Sequence, residues 1–111
     1  MINKIKNKIE RFKDWYVWKF ENPYNLNMPA GNCPVQIEGK LKDGKYYYFR
    51  ARWSTWSLDL AWSEREWMNR IPLIFKYSDQ YGTDSAAGWM TKREAIKFAT
   101  IALNKYYGTK N

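Results

Sequence analysis

This chain has 111 residues, 19 of them Lys or Arg and 11 Asp or Glu, with one Cys and no His. The length fits a single domain, expected over residues 1–111, and is too short for two. Without His there is no usual general base, no catalytic triad and no common zinc or non-haem iron site, and a lone Cys33 builds neither a metal cluster nor an internal disulfide.

Aromatic residues reach 19 % of the composition, so a short chain can still fill a dense core from large rings. No apolar run approaches the roughly 20 residues that cross a bilayer, and the opening MINKIKNKIERFKDW lacks the apolar stretch of a signal peptide. The expected compartment is therefore the reducing cytoplasm. The net charge of +8 sits at the two ends of the chain. Residues 1–21 carry six basic and three acidic side chains, residues 92–111 five and one, and the stretch between them eight and seven. Such ends favour anionic partners: nucleic acid, a nucleotide, an acidic protein or a lipid surface.

In chain order, Ile5, Ile9, Phe12 and Tyr16 recur at helical spacing, with Ile2 and Phe20 flanking them. This predicts an N-terminal helix with one apolar stripe, ended by Asn22-Pro23 because the residue before proline is pushed out of helical geometry. Lys4, Lys8, Arg11, Trp15 and Trp18 share one flank of that helix. A basic stripe running into two Trp can grip phosphate and stack a base, or lie on a membrane surface. It can also be a ring of snorkelling cations around a core helix whose Trp rings pack on a sheet.

Val35, Ile37 and Leu41 alternate with Gln36, Glu38 and Lys40 and predict a strand. A three-residue loop, Lys42-Asp43-Gly44, aligns Ile37 with Phe49 on one face, whereas a two-residue turn would mix core and polar faces. Tyr47, Phe49, Ala51 and Trp53 alternate with Tyr46, Tyr48, Arg50 and Arg52. Trp56, Leu58, Leu60 and Trp62 follow with the same period. A tight Ser54-Thr55 turn would set Trp53 against Trp56, Phe49 against Leu60, and Arg50 against Asp59. The expected core therefore includes Ile37, Phe49, Trp53, Leu58, Leu60, Phe98 and Ala102. The opposite face carries Gln36, Glu38, Tyr46, Tyr48, Arg50, Arg52 and Asp59.

Ser63-Glu64-Arg65-Glu66 reads as a short capped helical turn, and Leu73, Phe75 and Tyr77 as a fourth, edge strand. Residues 22–34 and 78–90 read as long loops. Thr91-Lys-Arg-Glu94 is a capping box, and Ala95, Phe98, Ala99, Ala102, Leu103 and Tyr106 form the buried stripe of a C-terminal helix closed by Gly108. The expected fold is α+β: an N-terminal helix, an antiparallel meander of three to four strands and a C-terminal helix, with the helices packed on one sheet face.

The order helix, three-stranded meander, helix resembles the double-stranded-RNA-binding domain, and TKREAIKFATIAL is similar to that family's basic helix start with spaced alanines. The resemblance covers about twenty residues. It implies that Lys92, Arg93 and Lys97 face phosphate. The family's loop motif before the helix is absent, AAGWMT standing in its place, and a further strand intervenes.

No glycine pattern cradles a nucleotide, and no carboxylate pair marks a general acid and base, so the expectation is a non-enzymatic protein without cofactor or metal. Three functions fit. The first is binding of a phosphate-bearing ligand, nucleic acid or nucleotide, with Tyr46, Tyr48, Arg50 and Arg52 as the sheet contact and Lys92, Arg93 and Lys97 at the helix start. The second is a small phage-type inhibitor or adaptor docking on another, acidic protein through Trp, Tyr and Arg. The third is a membrane-surface protein led by the first helix. The sequence leaves the oligomeric state open.

Overall fold

The computed structural model describes residues 2–108, with side chains from Lys4 onward. Its elements are helix α1 (Ile2–Phe20), strands β1 (Val35–Lys40), β2 (Tyr46–Arg52) and β3 (Thr55–Ala61), helix α2 (Glu64–Met68), strand β4 (Phe75–Gln80), a 3₁₀ turn (Ala86–Trp89) and helix α3 (Lys92–Tyr107). The four strands pair antiparallel in the order β1-β2-β3-β4. This is the expected α+β meander, with the fourth strand present but shifted: it leaves out Leu73 and runs on to Gln80, into the stretch 78–90 read as a loop, which also holds the 3₁₀ turn.

The β1–β2 hairpin takes the three-residue loop. Gly44 stands in the left-handed region at φ 94°, its N–H donates to the Leu41 carbonyl, and Ile37 lies opposite Phe49. The β2–β3 hairpin differs from expectation. Its two turn residues are Trp53 and Ser54, so Phe49 faces Leu58, Ala51 faces Trp56 and Arg50 faces Ser57 rather than Asp59. The pairing has moved by two residues, and the side-chain period in a strand is also two, so every side chain keeps its face. Two residues are exceptions. Trp62, read as continuing the apolar face of the third strand, lies past the end of β3 and is exposed. Trp53 is the other. It sits in the turn at φ 59° and is 62 % exposed, outside the core in which its alternation placed it.

Phe49, Leu58, Leu60 and Ile37 are buried beneath α3, whose Ala95, Ala99 and Ala102 let the helix backbone approach closely. The Trp56 ring packs against Phe49, Tyr77 and Phe98, with centroids 5.2–5.6 Å apart. Such ring pairs add roughly 0.5–1.5 kcal/mol each beyond their burial. Helix α3 begins with the capping box: the Thr91 hydroxyl accepts from the Glu94 N–H, and Glu94 accepts from the Thr91 N–H. It ends at Gly108 in the left-handed conformation.

The segment 22–34 is no free loop. Leu26 and Pro29 are buried, the Asn27 N–H donates to the Tyr47 hydroxyl, and the Cys33 N–H donates to the Gly88 carbonyl of the 3₁₀ turn. A Cβ on Gly88 would stand 2.7 Å from the Cys33 sulfur, so only glycine permits this approach. Segment and turn together cover the β1–β2 side of the core face. That leaves no room there for a second helix.

Helix α1 accordingly lies against α3. Val17 enters the core and Trp18 packs on it, its Nε1–H donating to the Leu26 carbonyl at 2.9 Å. The stripe Ile5, Ile9, Phe12, Tyr16 and Phe20, which the sequence reads as the buried side of the helix, is exposed. The Ile2 side chain lies outside the described residues. Pieces of chain nearer the sheet, Leu26, Pro29 and the 3₁₀ turn, occupy the core in its place.

Candidate docking surface

The Tyr half of the proposed sheet site is occupied by the protein itself. Tyr46 is buried, its hydroxyl donates to Glu38 at 2.6 Å, and its ring lies 5.6 Å from Trp67 of α2. Burial, with the Glu38 carboxylate beside it, pushes the Tyr46 hydroxyl pKa up, so the phenol stays neutral. The Tyr48 ring lies 4.7 Å from the same Trp67, and its hydroxyl accepts from Gln36. The Trp67 indole N–H in turn donates to Asp59. Helix α2 thus roofs this part of the mixed face. Arg50 is exposed, and Arg52 lies over the Trp53 ring at 4.9 Å.

The basic start of α3 is divided as well. Lys92 and Lys97 are exposed. Arg93 turns to α1, pairing with Glu10 at 2.7 Å and Asp14 at 2.9 Å. Its hydrogen bond to Glu10 holds that carboxyl below its usual range and raises the guanidinium in return. The structure therefore brings Tyr46 and Tyr48 together under Trp67 and brings Arg93 to α1. It does not gather the Tyr pair and the helix cations into one site. The sequence carried a signal for the Arg93 bridge: Glu10 and Asp14 lie four residues apart, on the helix side away from the apolar stripe.

Of the α1 flank residues, Lys4, Lys8, Arg11 and Trp15 are exposed, while Trp18 turns inward. Arg93 meets Glu10 and Asp14, and Lys97 shares a groove with Val17 and Glu21. The two helices therefore run side by side in the same direction, and the first half of α1 projects beyond the start of α3. Every residue from Lys4 to Ile9 is exposed, and the molecule is elongated, 49 × 31 × 26 Å.

Among the described residues, the outer face of α1 carries a row of exposed apolar side chains. Ile5 is 58 % exposed, Phe12 59 % and Phe20 62 %. The rings order one another along the helix: Phe12 to Tyr16 at 6.3 Å, Tyr16 to Phe20 at 5.1 Å, and Trp15 edge-on to Phe20 at 5.8 Å. At helical spacing Lys8 and Lys19 border the ridge on one side, and Lys6 and Lys13 on the other. Lys13 leans to Glu10 at 3.5 Å, while the acids Glu10 and Asp14 are turned to Arg93. The ridge from Ile5 to Phe20 is thus an apolar strip about 24 Å long at 1.5 Å per helical residue, with cations on both edges.

Among the described residues no group of His, Cys, Asp and Glu is arranged to hold a metal ion, and no helix is long and apolar enough to cross a membrane. No family model, no curated protein and no solved structure matches this chain.

Proposed function

We propose that this is a non-enzymatic protein that docks on an anionic membrane surface through α1. The observation that carries the reading is the exposed ridge from Ile5 to Phe20 with Lys6, Lys8, Lys13 and Lys19 along its edges. A helix of this kind lies in the plane of the interface, its apolar face among acyl chains and its cations among headgroups, with the lysine stems covering apolar surface. Each cation near an anionic leaflet contributes roughly 1 kcal/mol, and each fully buried large apolar side chain about 1.5–3 kcal/mol. Trp15 and Tyr16, apolar rings with a polar tip, suit the boundary.

A second copy of the chain fits this face less well, because pairing two ridges would set lysine edges against lysine edges in either orientation. The phosphate-ligand reading loses Tyr46, Tyr48 and Arg93 to internal contacts.

Co-sedimentation with vesicles tests the proposal. The protein should pellet with vesicles containing phosphatidylglycerol and remain behind with pure phosphatidylcholine at the same salt. Phe12→Ser with Phe20→Ser should abolish pelleting without changing the thermal unfolding midpoint. A protein that stays in the supernatant with anionic vesicles at low salt overturns the reading. So does pelleting that ignores both substitutions. Saturable capture of a protein partner on the ridge, with vesicles ignored, would replace it with the adaptor reading.

A further inference from the structure

At the far end of the molecule from the projecting half of α1 lies an open cleft of about 840 Å³, within the range of small-ligand sites. Three pieces of chain form it: Pro23 and Tyr24 just after α1, Lys40 to Asp43 at the β1–β2 hairpin, and Tyr107 at the end of α3. Its aromatic walls are held in place by their hydroxyls. The Tyr24 hydroxyl donates to the Asn104 side-chain oxygen at 2.6 Å, and the Tyr107 hydroxyl donates to Asp43 at 2.6 Å. The two rings lie 5.8 Å apart and nearly parallel.

The charges at this cleft do not cancel. Its acid, Asp43, is already engaged by Lys45 at 2.7 Å and by Tyr107. Those bonds keep it ionised, and Lys45 is drawn inward among the rings of Trp62, Tyr106 and Tyr107. Lys40 and Lys42 remain exposed on the rim with no ion pair among the described residues. The cleft therefore offers two cations beside an apolar, aromatic wall whose rotamers are set before any ligand arrives, so little ordering entropy is lost on binding.

We infer that this cleft binds a small aromatic phosphate, its phosphate on Lys40 and Lys42 and its ring against Pro23, Tyr24 and Tyr107. A phosphate alone would have the cations without the wall. A neutral ring would have the wall without the cations. Only a molecule carrying both uses the whole cleft, which makes a mononucleotide the fitting probe.

Titration calorimetry of the full chain with AMP, adenosine and inorganic phosphate tests this at low salt. AMP should bind saturably, and adenosine and phosphate at least tenfold more weakly. Lys40→Ala with Lys42→Ala should weaken AMP about tenfold while leaving the unfolding midpoint in place. Tyr24→Ala should weaken AMP and leave the weak phosphate binding as it was. Absence of saturable AMP binding overturns the inference. So does AMP binding unmoved by the lysine pair, or adenosine binding as tightly as AMP.

Discussion

At the scale of single residues, Thr91 and Asp43 mark what a sequence discloses and what it conceals. Thr91 was legible because a cap is a local pattern: its partner Glu94 is three residues away and the geometry follows from the helix start. Thr91→Ala should destabilise the fold by about 1 kcal/mol, read as a lower urea midpoint with an unchanged slope. Asp43 was legible only as a turn residue. Its partner Tyr107 is 64 positions away, and no local rule connects them. Hydrogen bonds from Lys45, then from Tyr107, hold the Asp43 carboxyl down at about 2. A carboxyl depressed in the folded state stabilises above its unfolded value, near 3.9, and that contribution is lost as pH falls towards about 2. Asp43→Asn should therefore lower the urea midpoint at pH 6, with the gap to the parent protein shrinking between pH 4 and pH 2. A gap independent of pH would show that the carboxylate's charge is not what stabilises.

At the scale of elements, local patterns set parity, and contacts between elements set register and packing. The alternation from Tyr46 to Ala61 placed the side chains of both strands on their correct faces, yet the hairpin turned one position earlier than read, at Trp53-Ser54. The turn had no Gly or Asn to mark it, and both registers keep the apolar face continuous. In the fold Phe49 stands opposite Leu58, and on the other side of β3 the fourth strand sets Tyr77 beside Leu58 and Phe75 beside Leu60. The link between α1 and α3 is likewise carried by a few side chains, chiefly Arg93 with Glu10 and Asp14. Arg93→Ala should leave these acids without their cation and lower the urea midpoint only modestly, because solvent screens a pair this exposed. Amide exchange should then quicken in α1 more than in α3, which the capping box and the sheet still hold. Uniform quickening across both helices would reject a local role for the bridge.

At the scale of the whole molecule, the charge of +8 and the ridge of α1 act together. Added salt should weaken docking on anionic vesicles, because it screens the lysines over a Debye length of about 10 Å at 0.1 M. Phe12→Ser with Phe20→Ser should remove docking even at low salt, where the lysines act most strongly. The cleft at the other end should lose AMP with salt as well, but remain indifferent to those two substitutions. The response to the two substitutions, not the response to salt, separates the two surfaces within one preparation.

The sequence by itself determined the features that depend on near neighbours: the helix ends at Asn22-Pro23 and Gly108, the Gly44 loop, the faces of the residues within β1, β2 and β3, and the α+β order. Each follows from the dihedral preferences and side-chain period of a few consecutive residues. The tertiary structure alone decided which apolar surfaces would be buried. An apolar stripe shows that a helix has something to cover, not that the fold has room for it. Leu26, Pro29 and the 3₁₀ turn occupy part of the core face and the stripe of α1 stands in solvent, while on the opposite face Trp67 of α2 covers Tyr46 and Tyr48. Both outcomes depend on chain segments far apart in sequence competing for the same sheet, a competition that no local pattern records.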